Sequence, residues 1–153
     1  MVNRRLYALI LIALLLAVGH HLDHLIRGNH VGWPVTDQVN AFTFSLIIYP
    51  LILTGLALTR AGIIGPGTWV FLSGGGAVFL TVIHFGPWAI EPPGDIISPY
   101  DPPLFGWLAF GWLLALIGVL IATTIYEVRL WLQHQSLEGD GQPPASPVTT
   151  DHP

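Results

Sequence analysis

The chain has no cysteine and no lysine, and only 9% of its 153 residues are charged. Each shortage excludes something. Without cysteine there are no disulfides, no iron–sulfur ligation and no thiolate metal sites. Without lysine, and with five scattered arginines, there is no basic patch to hold nucleic acid. A soluble domain carries roughly a quarter charged residues, so this chain has too few to cover a water-exposed surface. The motifs of phosphate-binding loops, nucleophile elbows and dinucleotide folds are also missing.

What is present is apolar length. Hydrophobic residues make up 52% of the sequence, and a helical crossing of a bilayer takes about 20 of them in a row. Four stretches qualify, about 6–26, 41–59, 68–85 and 104–126, which predicts an all-α, four-helix transmembrane bundle over residues 1–131. Residues 132–153 are expected to form a largely disordered cytoplasmic tail, rich in Gly, Pro, Ser and Thr from Glu138 onward. No internal repeat is visible, which argues against an inverted-repeat transporter.

The arginines set the expected orientation. Arg4, Arg5, Arg60 and Arg129 fall on one side of the four spans and only Arg27 on the other. The positive-inside rule then places both termini in the cytoplasm, N-in/C-in, with the plasma (inner) membrane as the expected location. The start of the chain, Met1–Arg5 followed by Leu6–Leu16 and Ala17-Val18-Gly19, also fits a cleavable signal. Leu22, Leu25 and Ile26 continue the apolar period past that cut and favour a retained helix.

The polar residues gather at the outer end of the first span, at His20, His21, Asp23, His24 and Arg27. At about 100° per residue, His20, His24, Arg27 and Asp23 share a face roughly 100° wide, with His21 at its boundary. Leu22, Leu25 and Ile26 take the opposite face. Ionisable groups at membrane depth are costly and turn toward partners or cavities. The topology brings His84 to the same level at the end of the third span. The Pro-rich loop from Gly86 to Pro103 adds Glu91, Asp95 and Asp101, and His30 and Asp37 follow the first span.

Histidines at i and i+4 chelate one ion from a single helical face, and a third histidine with a carboxylate completes four ligands. His20, His24 and His84 are the expected ligands, Asp23 and Glu91 the candidate carboxylates, and His21, Arg27 and His30 further polar members of the site. The ion would be Zn, Cu, Fe or Mn, with redox or hydrolytic chemistry in view. Two other readings stay open. One is a single haem between His20 or His24 and His84, with Arg27 at its propionates. The other is a structural or proton-responsive network, in which Asp23 and Arg27 form an ordinary i,i+4 pair. The segment His20-His21-Leu22-Asp23-His24-Leu25-Ile26-Arg27-Gly28-Asn29-His30 resembles the histidine boxes of membrane oxygenases and hydroxylases. Those enzymes spread several boxes along a longer chain, whereas here there is one box and a lone His84, so the resemblance assigns no role.

The remaining expectations are smaller. Pro50 should interrupt the second span. The Gly74–Gly76 run should permit close packing. Trp33, Trp69, Trp88, Tyr100 and Trp131 read as interfacial aromatics, and Trp107 and Trp112 as anchors or pocket residues. Glu127 reads as the inner end of the fourth span, meeting water or Arg129. Apart from the lipid bilayer, the expected partners are other membrane subunits or a second copy, through glycine faces of the third and fourth spans.

Overall fold

A computed structural model describes residues 3–27 and 38–140, with side chains described as far as Ser136. The described chain is all-helical: α1 Arg4–Arg27, α2 Ala41–Ser45, α3 Ile48–Arg60, α4 Pro66–Phe85, α5 Pro93–Ile97 and α6 Pro103–Asp140. Four helices are long and apolar enough to cross a membrane, α2 and α3 counting together as one. His30, Asp37 and Trp33 lie outside the described residues, as does the tail from residue 141. Residues 132–140, the start of the expected tail, are helical, because α6 continues without a break to Asp140.

Local chemistry places the helix ends. The Asn3 side chain accepts from the amides of Arg5 and Leu6 and caps α1. Pro66 opens α4 at its first turn, where a missing N–H costs nothing. Past Phe85, Pro87 disfavours a helical Gly86. The α3 terminus closes through Gly62 at φ +72°, with Ile63 N–H reaching the Leu58 carbonyl at 2.9 Å. The interruption expected at Pro50 falls at Leu46 and Ile47, one turn earlier. Proline has no amide to give the Leu46 carbonyl, and Tyr49 N–H takes it in a tighter 3.2 Å turn.

The helices bury one stripe each and turn the rest outward. Leu6, Ile10, Ile52 and Trp69 form a core joining α1, α3 and α4. The long α6 packs along both α4 and α1, with Leu113 and Leu116 fully enclosed. Gly74 and Gly76 of α4 face Thr124 and Leu120 at ordinary contact distance, as the glycine run predicts. Large apolar side chains such as Leu15, Phe71 and Val78 stand 65% or more exposed. A surface of that kind suits hydrocarbon rather than water.

Two aromatic expectations need correction. Trp69 is 1% exposed and belongs to the core, its indole N–H held by Thr59 Oγ1 at 2.8 Å. Tyr100 belongs to the polar cluster described below. Interfacial preference speaks of depth along a helix and is silent about which face a ring occupies.

The tightest helix contact sits where α5 ends on α6. A Cβ on Gly106 would strike the backbone of Ile97, which cannot swing aside as a side chain can. Gly106→Ala is therefore expected to lower stability by about 1–3 kcal/mol, read as a lower thermal midpoint in detergent. Gly94→Ala, which meets open space, should leave the midpoint unchanged.

Candidate metal centre

One face of α1 carries the site. His20 and His24 are buried, while Leu22, Leu25 and Ile26 on the other face are half or more exposed, as the 100° period requires. His84 comes from the end of α4, 1% exposed, with its ring edge-on to His20 at 5.3 Å between centroids. His20, His24 and His84 each offer a ring nitrogen, and the three nitrogens lie within 4.8 Å of one another. The His20 and His24 Nε2 atoms are 3.3 Å apart. Two nitrogens bound to a tetrahedral ion at about 2.0–2.1 Å are separated by about 3.3 Å. The α1 pair thus already has the bite of a chelate, and His84 needs to close by about 1.5 Å at most.

Each ring is oriented from behind. His84 Nδ1–H donates to the Glu91 carbonyl at 2.8 Å, which leaves Nε2 as the ring nitrogen with a lone pair to offer. Arginine can only donate, so the 3.4 Å contact from Arg27 makes His24 Nδ1 an acceptor. The hydrogen of neutral His24 is then on Nε2, directed at His20 Nε2. Ligation through His24 Nε2 requires that hydrogen to move to Nδ1. The move costs the longest of the four Arg27 contacts and none of the others.

Glu91 completes the group. It is 2% exposed. Its Oε1 accepts from Arg27 at 2.6 Å, and its Oε2 has no hydrogen-bond partner among the described residues. Oε2 stands 3.5 Å from His24 Nε2 and 3.6 Å from His84 Nδ1. Burial pushes the Glu91 carboxyl above the usual carboxylate range, against the opposing pull of Arg27. A cation at the histidines would satisfy this oxygen.

The other predicted members are placed differently. Asp23 does not join the three histidines. It accepts from Arg27 Nε at 2.8 Å and from the Tyr100 hydroxyl at 2.5 Å. Burial and this bond to Asp23 push the Tyr100 hydroxyl up to about 12. Arg27 also reaches the Asp95 carbonyl at 3.1 Å, so one guanidinium ties α1 both to the loop at Glu91 and to α5. His21 is drawn toward the second span, its Nε2 2.7 Å from Ser45 Oγ and its Nδ1 2.8 Å from the Tyr49 hydroxyl. His30 lies outside the described residues. Tyr100 and Tyr49 were not among the expected site residues; only their facing of Asp23 and His21 across helices reveals them.

The expectation for Glu127 is corrected. It is fully buried against α4, with Oε1 accepting from Ser73 at 3.0 Å and Oε2 unpartnered among the described residues. Because α6 runs on to Asp140, this residue lies within the helix rather than at its mouth. Trp112 is half-exposed and donates to the Leu16 carbonyl at 2.8 Å, and Trp107 faces outward.

Beside the histidines lies a cavity of about 310 Å³. Its lining runs along α4 from Trp69 to His84 and along α1 from Ile10 to His24. At 1.5 Å per residue that is a length of roughly 22 Å. Its polar groups are Ser73 near one end and the histidines with Ser45 at the other; no charged side chain lines it. The exposed lining residues Phe44, Ile47 and Phe71 put its mouth between the second span and α4.

No protein family, curated protein or solved structure matches the chain. The geometry of its own residues therefore carries the functional argument.

Arg27 is the member whose loss should be felt most. Its side chain is 1% exposed and balances both Asp23 and Glu91. Arg27→Gln strands the buried Glu91 carboxylate and the part-buried Asp23, and is expected to cost about 3–5 kcal/mol, measured by thermal unfolding in detergent. Asp23→Asn, which leaves the Glu91 pair intact, should cost clearly less. Equal losses would show that the two acids do not depend on a shared cation.

Proposed function

We propose that this is an integral membrane protein that holds one transition-metal ion between His20, His24 and His84, with Glu91 as the fourth ligand. The carrying observation is the convergence of three buried histidine nitrogens, 4.8 Å apart or less, from two separate helices. A buried carboxylate oxygen without a partner points at the same place. Neutral imidazoles and one carboxylate suit Zn, Cu, Fe or Mn. The arginine distribution supports termini on the cytoplasmic side of the inner membrane, which puts the centre at the extracytoplasmic edge. Four protein ligands fill a tetrahedron, so a substrate oxygen would enter as a fifth ligand or in the place of Glu91, which Arg27 also holds, and such an exchangeable position suits hydrolytic or redox work.

The haem reading loses support from the same geometry. Axial imidazoles face each other across a flat slot, whereas His20 stands edge to face against both His24 and His84 and its ring crowds the 6.4 Å between those two. An accessory subunit packing through its glycines is the second reading. Its support is that a Cβ on Gly111 or Gly118 of α6 meets open space, which leaves a small-residue surface for another helix or a second copy.

Metal analysis of detergent-purified protein decides between them. We expect near one equivalent of a single transition metal, lost in the His20→Ala/His24→Ala variant. Glu91→Gln, which keeps an oxygen for Arg27, should weaken binding by about 10–100-fold while the protein stays folded. A wild type that carries no metal and takes up none on supplementation overturns the metal reading and leaves the subunit reading.

A further inference from the structure

We infer that the cavity between α1, α4 and the second span is the binding site of a long single-chain lipid, its oxygen-bearing head at the histidines and its tail toward Trp69. The inference deepens the proposed function, and its head-group part rests on that reading. The tail part rests on the cavity alone.

The shape selects the class. About 310 Å³ of space is drawn out along roughly 22 Å of helix, which makes a slot for one extended chain rather than a chamber for a ring system. Between Ser73 and the histidines the wall is apolar, with Leu72, Phe79, Leu80, Leu116 and Leu120 among its members. Such a wall offers nothing to a sugar, nucleotide or hydrated ion, and each methylene placed against it gains about 0.8 kcal/mol in transfer from water. Gly75 and Gly76 hold the slot open; a Cβ on Gly75 meets nothing within 4 Å. The exposed rim residues Phe44, Ile47 and Phe71 sit among surfaces suited to hydrocarbon, so the chain enters sideways from the bilayer.

Charge selects the head. Asp23, Glu91, Asp95 and Arg27 sum to two negative charges beside neutral histidines. Arg27 is fully engaged, so among the described residues no cation of this site is left for a phosphate-bearing head. A divalent ion on the histidines cancels that sum and is then the one cationic centre that an oxygen from the slot can meet. The position facing the slot then takes a carboxylate or hydroxyl and rejects an amine. The occupant is therefore a fatty acid or fatty alcohol.

Tryptophan quenching tests the site on full-length protein in detergent, with metal content measured on the same samples. The probe is stearic acid brominated near its methyl end. Saturable quenching is expected that unbrominated stearic acid reverses, that disappears in Trp69→Phe and that falls at least fivefold in Gly75→Leu. The Gly75→Leu protein should keep the metal content of the wild type, which also shows that it folds. Stearylamine should compete at least tenfold more weakly than stearic acid. If quenching does not saturate, or is the same in Gly75→Leu, the lipid site is overturned even where metal is bound. If quenching saturates as expected in protein that takes up no metal, the chain site stands and the metal reading falls. Saturable quenching by acid bromine-labelled beside the carboxyl, lost in Trp69→Phe, would mean a reversed chain and overturn the assigned orientation.

Discussion

A guanidinium withdrawn from solvent holds the polar end of this protein together. Taking a charge out of water costs several kcal/mol unless its partners are well placed, and the Arg27 side chain is 1% exposed. Its partners come from two directions. Asp23 is one turn back on the same helix, and Glu91 and the Asp95 carbonyl lie in the loop after α4. Meeting that demand fixes where the loop lies, and the loop in turn delivers the Glu91 carbonyl to His84 Nδ1. A lysine could not do the same, since a single ammonium lacks the planar fork that reaches several acceptors at fixed angles. The orientation of His84 is thus a consequence of an ion network that His84 does not itself join.

The two ends of the cavity have opposite characters, and the contrast limits what the protein can do. One end gathers His20, His21, His24 and His84; the other has Ser73, whose hydroxyl is already given to Glu127. Between them no polar side chain lines the wall. An ion or proton crossing this protein would need a continuous series of ligands or donors, and the apolar stretch interrupts any such series. A site at one edge with a greasy approach agrees with chemistry on a lipid-soluble molecule.

The sequence makes some of this legible and hides the rest, for physical reasons. Four apolar lengths and one 100° period are local properties, and they suffice for the helices and for the inward face of His20 and His24. Asp23 shares that face by angle, yet the i,i+4 Arg27 competes for it and Tyr100 fixes it away from the histidines. No local rule weighs such a competition. Glu91 stood out as a carboxylate, but its pairing with a residue 64 positions away depends on how a loop of six prolines folds back. Trp69 and Glu127 were misread together: both sit near the ends of apolar runs, where composition suggests water. The continuation of α6 to Asp140 instead encloses Glu127 against α4, and Trp69 packs into the core.

The division of labour within Glu91 explains why this site is built with a charge network at all. A carboxylate has two oxygens, and here each faces a different demand. Oε1 answers Arg27, which secures the loop; Oε2 is buried and, among the described residues, unpartnered, 3.5 Å from His24 Nε2. A buried acceptor without a partner costs about 1–3 kcal/mol or more, a penalty that an ordinary structural network would avoid by turning the group or admitting a donor. The Arg27 contact prevents the turn, and the surrounding histidines can donate only at 3.5 Å or beyond. An ion among the three nitrogens would remove the penalty and at the same time compete with Arg27 for the same carboxylate. Loading of such a centre would then be coupled to anchoring of the loop through one residue.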